Sequence, residues 1–257
     1  MDWMQVAFLS LVEGITEFLP ISSTGHLILT SAFFGIQDDG FVKAFNIIIQ
    51  FGAIASVLVI YRQRFFQWRP RFFTLLIIAV LPAVVLGFLV KKKIEALLGD
   101  AQVVAWALIL GGILLILSDR WFRKQLDEGQ SVDELTYKQG FLIGLAQCFA
   151  FIPGVSRSAA SILGGLALGL KKQDSAEFSF FLAVPTLAGA TLLNLFKIRH
   201  ELNSDHISML LVGSLLSFFV AWLAIKFFIH IVSKFGFSSF GIYRILLGLI
   251  ALLFLKH

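Results

Sequence analysis

The chain has 257 residues, 58% of them hydrophobic and 14% charged, with 28 Phe, 21 Gly and a net charge of +5. A soluble chain carries roughly 25% charge and 45–50% apolar residues, and the mean hydropathy here is +0.88; a water-soluble fold, a disordered chain and a charged coiled coil are excluded. With a lone cysteine, Cys148, a disulfide scaffold falls as well, and the sequence reads as one all-α, multi-pass integral membrane domain over residues 1–257.

In chain order, Asp2 and the absence of a basic leader argue against a signal peptide, so the first apolar stretch is expected to stay. Residues 3–35 are long enough to cross but are broken midway by Pro, Gly, Ser and charge. Backbone of that kind is tolerated at membrane depth only inside protein or beside a wet cavity, so the stretch reads as a helix-loop-helix hairpin that enters and returns; a kinked ordinary span is the alternative. Runs over 45–61, 72–90 and 101–117 each suit a crossing of about 17–25 residues. Residues 118–140 carry nine charges and read as a polar connector. A second broken stretch, 141–170, follows, and then runs over 178–196, 207–229 and 242–255. The last is short, and Tyr243 and Arg244 at its start are expected to anchor at the interface with a snorkelling head.

Shifting the sequence by 133 positions places Phe18-Leu19-Pro20 on Phe151-Ile152-Pro153 and Ser23 on Ser156. The order of elements repeats too, a broken hairpin and three spans in each of the halves 1–117 and 141–257. Three crossings per half is odd, which predicts an inverted repeat with discontinuous helices meeting near the midplane. With returning hairpins, eleven Lys and Arg fall on one face and seven, Lys256 among them, on the other; the eleven include Arg62, Arg64, Arg69, Arg71, Arg120, Arg123 and Lys124. The positive-inside rule then puts both termini outside the cytoplasm. The basic surplus sits in short clusters between apolar runs, which suits anionic membrane lipids and not nucleic acid.

Four ionisable groups lie within the apolar part: Glu13, Glu17, His26 and Arg157. Each is costly at membrane depth, so each calls for a function. Glu13 and Glu17, four apart, share a helical face, where like charges need a shared proton, a cation or a guanidinium; a solvated helix end at the interface is the bland alternative. Pro20 ends one helix, and Ser22, Ser23 and Thr24 offer caps for the next, whose free N–H groups suit an anion. Ser23 and His26, three apart, bring a hydroxyl and an imidazole base within reach of each other. The second break offers another helix start with the hydroxyls of Ser156, Ser158 and Ser161 and the fork of Arg157, a donor set for phosphate oxygens. A pocket holding base, carboxylates and hydroxyl goes beyond binding and points to hydrolysis.

The segments Glu13-Gly-Ile-Thr-Glu17-Phe-Leu-Pro-Ile-Ser-Ser-Thr-Gly-His26 and Pro153-Gly-Val-Ser-Arg-Ser158 resemble the two signature segments of the undecaprenyl-diphosphate phosphatase family, also called bacitracin-resistance proteins. The likeness covers nearly the whole chain, including Gln50-Phe-Gly-Ala, Glu177-Phe-Ser-Phe-Phe-Leu-Ala-Val-Pro185 and Ile242-Tyr-Arg244. It implies a bacterial inner-membrane hydrolase that removes the terminal phosphate of a polyprenyl diphosphate lipid, recycling the carrier for peptidoglycan synthesis and conferring bacitracin resistance. By the same likeness Glu13 and Glu17 are the acidic motif, Ser23 the nucleophile, His26 the histidine and Arg157 the phosphate-binding arginine. Ser22, Thr24, Gln50, Ser156, Ser158 and Ser161 are expected to line the substrate site. A divalent cation, Mg2+ or Ca2+, held by Glu13 and Glu17 suits hard oxygen ligands beside a diphosphate. The family's second motif usually ends in Thr where this chain has Ser161, which leaves the role of that position open. Access from the outer, periplasmic side is expected, and the plan is compatible with a homodimer.

Other features have plainer readings. The Ser161, Gly165, Gly169 and the Gly140, Gly144 spacings suggest close helix packing. Gln50, Asn46 and Gln147 suit the cavity and interhelical bonds equally well. His200, His206, His230 and His257 have no metal-ligand spacing. The rival function is a lipid-phosphate flippase or anion carrier, for which the same layout is common; the cluster of Ser23, His26 and Glu17 is what a carrier does not require.

Overall fold

The computed structural model describes residues 1–97, 101–122 and 128–254, and is helical throughout apart from turns and one isolated bridge between Gln130 and Leu170. Arg123, Lys124, Leu255, Lys256 and His257 lie outside the described residues.

The first broken stretch forms α1 (Trp3–Thr16) and α2 (Ser23–Phe33). Asp2 starts α1 with a capping box: its carboxylate accepts from Gln5 N at 2.8 Å while the Gln5 side chain accepts from Asp2 N at 2.9 Å. At 14 and 11 residues and 1.5 Å per residue, these helices reach about 21 and 17 Å, short of a ~30 Å hydrocarbon core. After the left-handed turn at Gly35 come α3 (Gly40–Ile48), capped by Asp39, and α4 (Gln50–Ile60), which together make one apolar length of 21 residues. Short α5 (Arg62–Phe66) leads to α6 (Pro70–Leu97), which begins on a proline and carries Pro82 inside it, and to α7 (Ala101–Trp121).

The connector is tied down by charge. Arg64 pairs with Asp133, Arg71 donates to the carbonyls of Asp133 and Leu135, and Asp174 accepts from Val132 N at 2.8 Å. The second broken stretch forms α8 (Tyr137–Gln147) and α9 (Arg157–Ala167), and α10 (Lys172–Ile198), α11 (Ser204–Phe235) and α12 (Ser238–Phe254) complete the chain. Among the described residues five helical lengths are long and apolar enough to cross a membrane: 40–60, 70–90, 102–121, 172–198 and 204–235. The sixth expected span, α12, has 17 residues, about 26 Å of helix.

Packing exchanges partners between the two halves of the chain. α1 lies along α11 and α8 along α6, while α7 and α12 form the most extensive helix pair. Small residues permit this closeness: a Cβ at Gly144 would strike the Ala79 carbonyl, and one at Gly241 would lie 2.6 Å from the Gly112 carbonyl. Gly169, by contrast, has open space around it and a positive φ of 95°, so it serves a turn and not the packing stripe. The core is aromatic, with Phe18, Phe178, Phe180, Phe181, Phe228 and Phe237 fully buried. Phe88, Leu89, Phe196 and Leu211 are exposed on the outside, as lipid-facing side chains would be.

Candidate active site

Both breaks end in the same local device. Ser22 and Ser156 are N-caps in left-handed backbone, with φ 73° and 77°, and each side-chain oxygen accepts from the N–H three residues on, Gly25 and Ala159, at 3.2 Å. These caps, 22 and 156, stand 134 apart and not at the 133 of the ungapped overlay, so Ser156 matches Ser22 and the position of Ser23 falls to Arg157. The cap leaves the first-turn N–H groups of α2 and of α9 without helical partners, and both helix starts border one cavity. Its walls are Glu17, Ser22, Ser23, Thr24, Gln50, Ala150, Pro153, Gly154, Ser156, Arg157 and Leu187, around ≈ 60 Å³, room for about two waters at liquid density.

Glu17 is the junction of the two halves. One carboxylate oxygen accepts from the Ser23 hydroxyl at 2.5 Å, and the other from Arg157 Nη2 at 2.8 Å, with the two ion-pair side chains 4% and 11% exposed. Arg157 also donates through Nη1 to the Ser179 carbonyl at 2.7 Å and to its hydroxyl at 3.2 Å, while its Nε, buried, has no partner among the described residues. Ser161 donates to the Ser179 hydroxyl at 2.8 Å, so it supports Arg157 from behind and stands outside the cavity wall. Ser158 bonds the Leu19 carbonyl at 2.7 Å and Ser156 Oγ at 2.9 Å, joining the second break to the first.

Glu13 is fully buried, and neither of its carboxylate oxygens has a hydrogen-bond partner among the described residues. The bland reading of a solvated helix end therefore does not describe it, nor Glu17. His26 does not meet Ser23. Its Nδ1 lies 2.7 Å from the Ser22 carbonyl and its Nε2 2.8 Å from the Tyr243 hydroxyl, with the two rings stacked. A carbonyl can only accept, so the hydrogen-bond network puts the imidazole proton on Nδ1 and leaves Nε2 accepting from Tyr243. Of the open polar residues, Gln50 lines the cavity, whereas Asn46 bonds Ser31 at 3.2 Å and Gln147 bonds Thr186 at 3.4 Å across helices.

The expectation for Arg244 is overturned. It is completely buried, 0% exposed, and its guanidinium bonds five backbone carbonyls, including those of Pro20 and Gly154 in the two breaks. Helix α12 packs lengthwise on α7, which turns this face inward and not to lipid head groups. Sequence reasoning also passed over Ser179, whose signal was available: a serine set among Phe178, Phe180 and Phe181 is a buried hydroxyl in need of a partner.

Fold and site together define a polytopic, all-helical membrane protein whose polar chemistry is gathered where two helix breaks meet. The chain belongs to the bacitracin resistance protein BacA family, whose model it matches over residues 6–250. It is 54% identical over 256 residues to an undecaprenyl-diphosphatase of Bdellovibrio bacteriovorus, covering 99% of this chain and 97% of that protein. It is 52% identical over 256 residues to one of Flavobacterium psychrophilum, covering 98% and 96%, and 45% identical over 256 residues to one of Wolinella succinogenes, covering 99% of each.

Proposed function

We propose that this chain is an undecaprenyl-diphosphate phosphatase, hydrolysing undecaprenyl diphosphate to undecaprenyl phosphate and inorganic phosphate and so lending bacitracin resistance. The contact that carries the mechanism is the 2.5 Å hydrogen bond from Ser23 to Glu17, whose other oxygen is held by Arg157. Arg157 Nε and the first-turn N–H groups of α2 and α9 hold the terminal phosphoryl oxygens. Ser23 Oγ attacks the terminal phosphorus as its proton passes to Glu17; the bond to the bridging oxygen breaks, and undecaprenyl phosphate leaves with that oxygen. Water then attacks the phosphorus of the phosphoserine and the Oγ–P bond breaks; the proton on Glu17 returns to Ser23 Oγ, and the phosphate departs carrying both protons of the water. His26, engaged at both nitrogens, orients the Ser22 turn and takes no proton from Ser23.

For a divalent cation, Mg2+ or Ca2+, the support is Glu13 alone, whose two buried carboxylate oxygens have no partner among the described residues and suit a hard cation; it stands behind the cavity wall, and among the described residues no three His, Cys, Asp or Glu come together. Both oxygens of Glu17 already have partners, so Glu13 would be the chief protein ligand, with Glu17 beside it. When bound, the ion would supply positive charge toward the diphosphate oxygens.

The same reading takes the two broken stretches as re-entrant hairpins and the halves as an inverted repeat. In its favour are the exchanged packing of α1 on α11 and α8 on α6 and the matched left-handed serine caps. The cluster of Arg64, Arg71, Asp133 and Asp174 gathers one set of loops on one side, which we assign to the cytoplasm of the inner membrane by the positive-inside rule, with the pocket open to the periplasm. The test is phosphate release from undecaprenyl diphosphate by detergent-purified protein. Wild type releases phosphate and Ser23→Ala does not; an active Ser23→Ala would replace the serine by water as nucleophile, and a silent wild type that still binds the lipid would favour a carrier.

A further inference from the structure

Burying a guanidinium without a carboxylate partner is expensive, yet Arg244 is 0% exposed and its five N–H groups are all spent on main-chain carbonyls. Nη1 donates to Pro20 and Val155, both at 3.0 Å; Nη2 donates to Ala107 at 3.0 Å and Gly154 at 2.8 Å; Nε donates to Leu108 at 3.3 Å. Three of the five acceptors lie in the two breaks. Pro20 stands two residues before the cap Ser22, and Gly154 and Val155 immediately precede the cap Ser156. Left-handed backbone at a residue other than glycine persists only where its surroundings force it, and both caps have it.

We infer that Arg244 is a positioning residue for the reaction: from one buried guanidinium it fixes the backbone of both breaks, and so aims the two helix starts and the groups they carry at the same phosphoryl group. The role rests on the phosphatase reading above. The molecule is built around this contact. A Cβ at Gly111 of α7 would lie 2.7 Å from Arg244 Cζ, so glycine there makes the room. The preceding residue adds a second strut, Tyr243 to His26 at 2.8 Å and His26 to the Ser22 carbonyl at 2.7 Å. One turn of α12 therefore grips the first break through both side chains and the second through Arg244, with no hydrogen bond among the described residues to Ser23, Glu17 or Arg157.

The test uses the full chain in detergent, comparing wild type, Arg244→Lys, Arg244→Ala and Gly111→Ala. A lysine keeps the charge but has three donors for five carbonyls; the alanine at 111 displaces the guanidinium and leaves the charge alone. Helix content is expected to hold while amide exchange rises together over residues 21–25 and 155–159. kcat for undecaprenyl diphosphate should fall about 100-fold, the effect of an ångström-scale misplacement, with KM little changed. Guanidinium ion should restore part of the Arg244→Ala activity, and ammonium at the same concentration should not. Arg244→Lys with wild-type exchange and kcat, or faster exchange in one break alone, overturns the proposal. If Arg244→Lys fails to fold, Gly111→Ala gives the same readouts. A wild type that releases no phosphate refutes the phosphatase reading, and the paired exchange then still decides whether Arg244 braces both breaks.

Discussion

Replacing Glu17 by glutamine keeps the shape of the side chain and removes its charge. The amide oxygen can still accept from Arg157, but the amide nitrogen then faces Ser23, whose hydroxyl loses its proton acceptor. In stability, two charge-assisted bonds of 2.5 and 2.8 Å become neutral or single-sided at about 1–2 kcal/mol each. With Arg157 only 11% exposed, the total approaches the ~3–5 kcal/mol of a broken buried ion pair. In catalysis, losing a positioned base costs about 10²–10⁴ in rate, or ~2.7–5.4 kcal/mol of barrier. KM should move little, because Arg157 stays on its Ser179 carbonyl at 2.7 Å. The assay is phosphate release from undecaprenyl diphosphate, with thermal unfolding followed in parallel. A Glu17→Gln enzyme with near wild-type kcat would refute Glu17 as the base for Ser23.

Ser161→Ala removes the 2.8 Å bond to Ser179 and should cost about 0.5–1.5 kcal/mol with a modest loss of kcat, whereas Ser161→Thr, which keeps the hydroxyl, should match wild type in the same assay. Glu13→Gln should raise the Mg2+ or Ca2+ concentration needed for half-maximal activity after chelation; an unchanged requirement would remove Glu13 as a ligand. Gly144→Ala should lower the melting temperature through about 1–3 kcal/mol of overpacking against Ala79, and Gly189→Ala, with nothing within 4 Å of the new methyl, should not. The Arg64 guanidinium that donates to Asp133 holds that carboxyl below its ordinary value, which is about 3.9. A depressed folded pKa stabilises above the unfolded value and is lost as pH falls through the folded one. With Asp133 60% exposed the effect is about 0–1 kcal/mol, so Asp133→Asn should slightly flatten the fall in melting temperature below about pH 4; an unaltered slope counts against it.

Much of the site was legible because membrane burial makes charge informative. Glu13, Glu17 and Arg157 stood out in runs where each ionised group is costly, and Pro20 and the serines after it marked a helix start by local chemistry alone. Gln50 carried no such signal and needed the cavity to separate it from Asn46 and Gln147, which bond other helices. Local spacing misled at Ser23. Three residues along a helix suggested His26 as its partner, yet the turns over residues 17–21 bring Glu17, six positions upstream, onto the hydroxyl, while His26 turns to Tyr243, 217 positions away.

Hydropathy and backbone chemistry are local properties, so residue order alone put the chain in a bilayer, located its two polar breaks and singled out Glu13, Glu17 and Arg157 as groups in need of partners. The partners themselves came from helix packing: Arg157 with Glu17 across 140 positions, and Arg244 with carbonyls of both breaks and not with lipid head groups. Which face of α12 turns inward depends on the glycines of α7 that meet it, and helix contacts between distant segments leave no periodic trace in either segment alone.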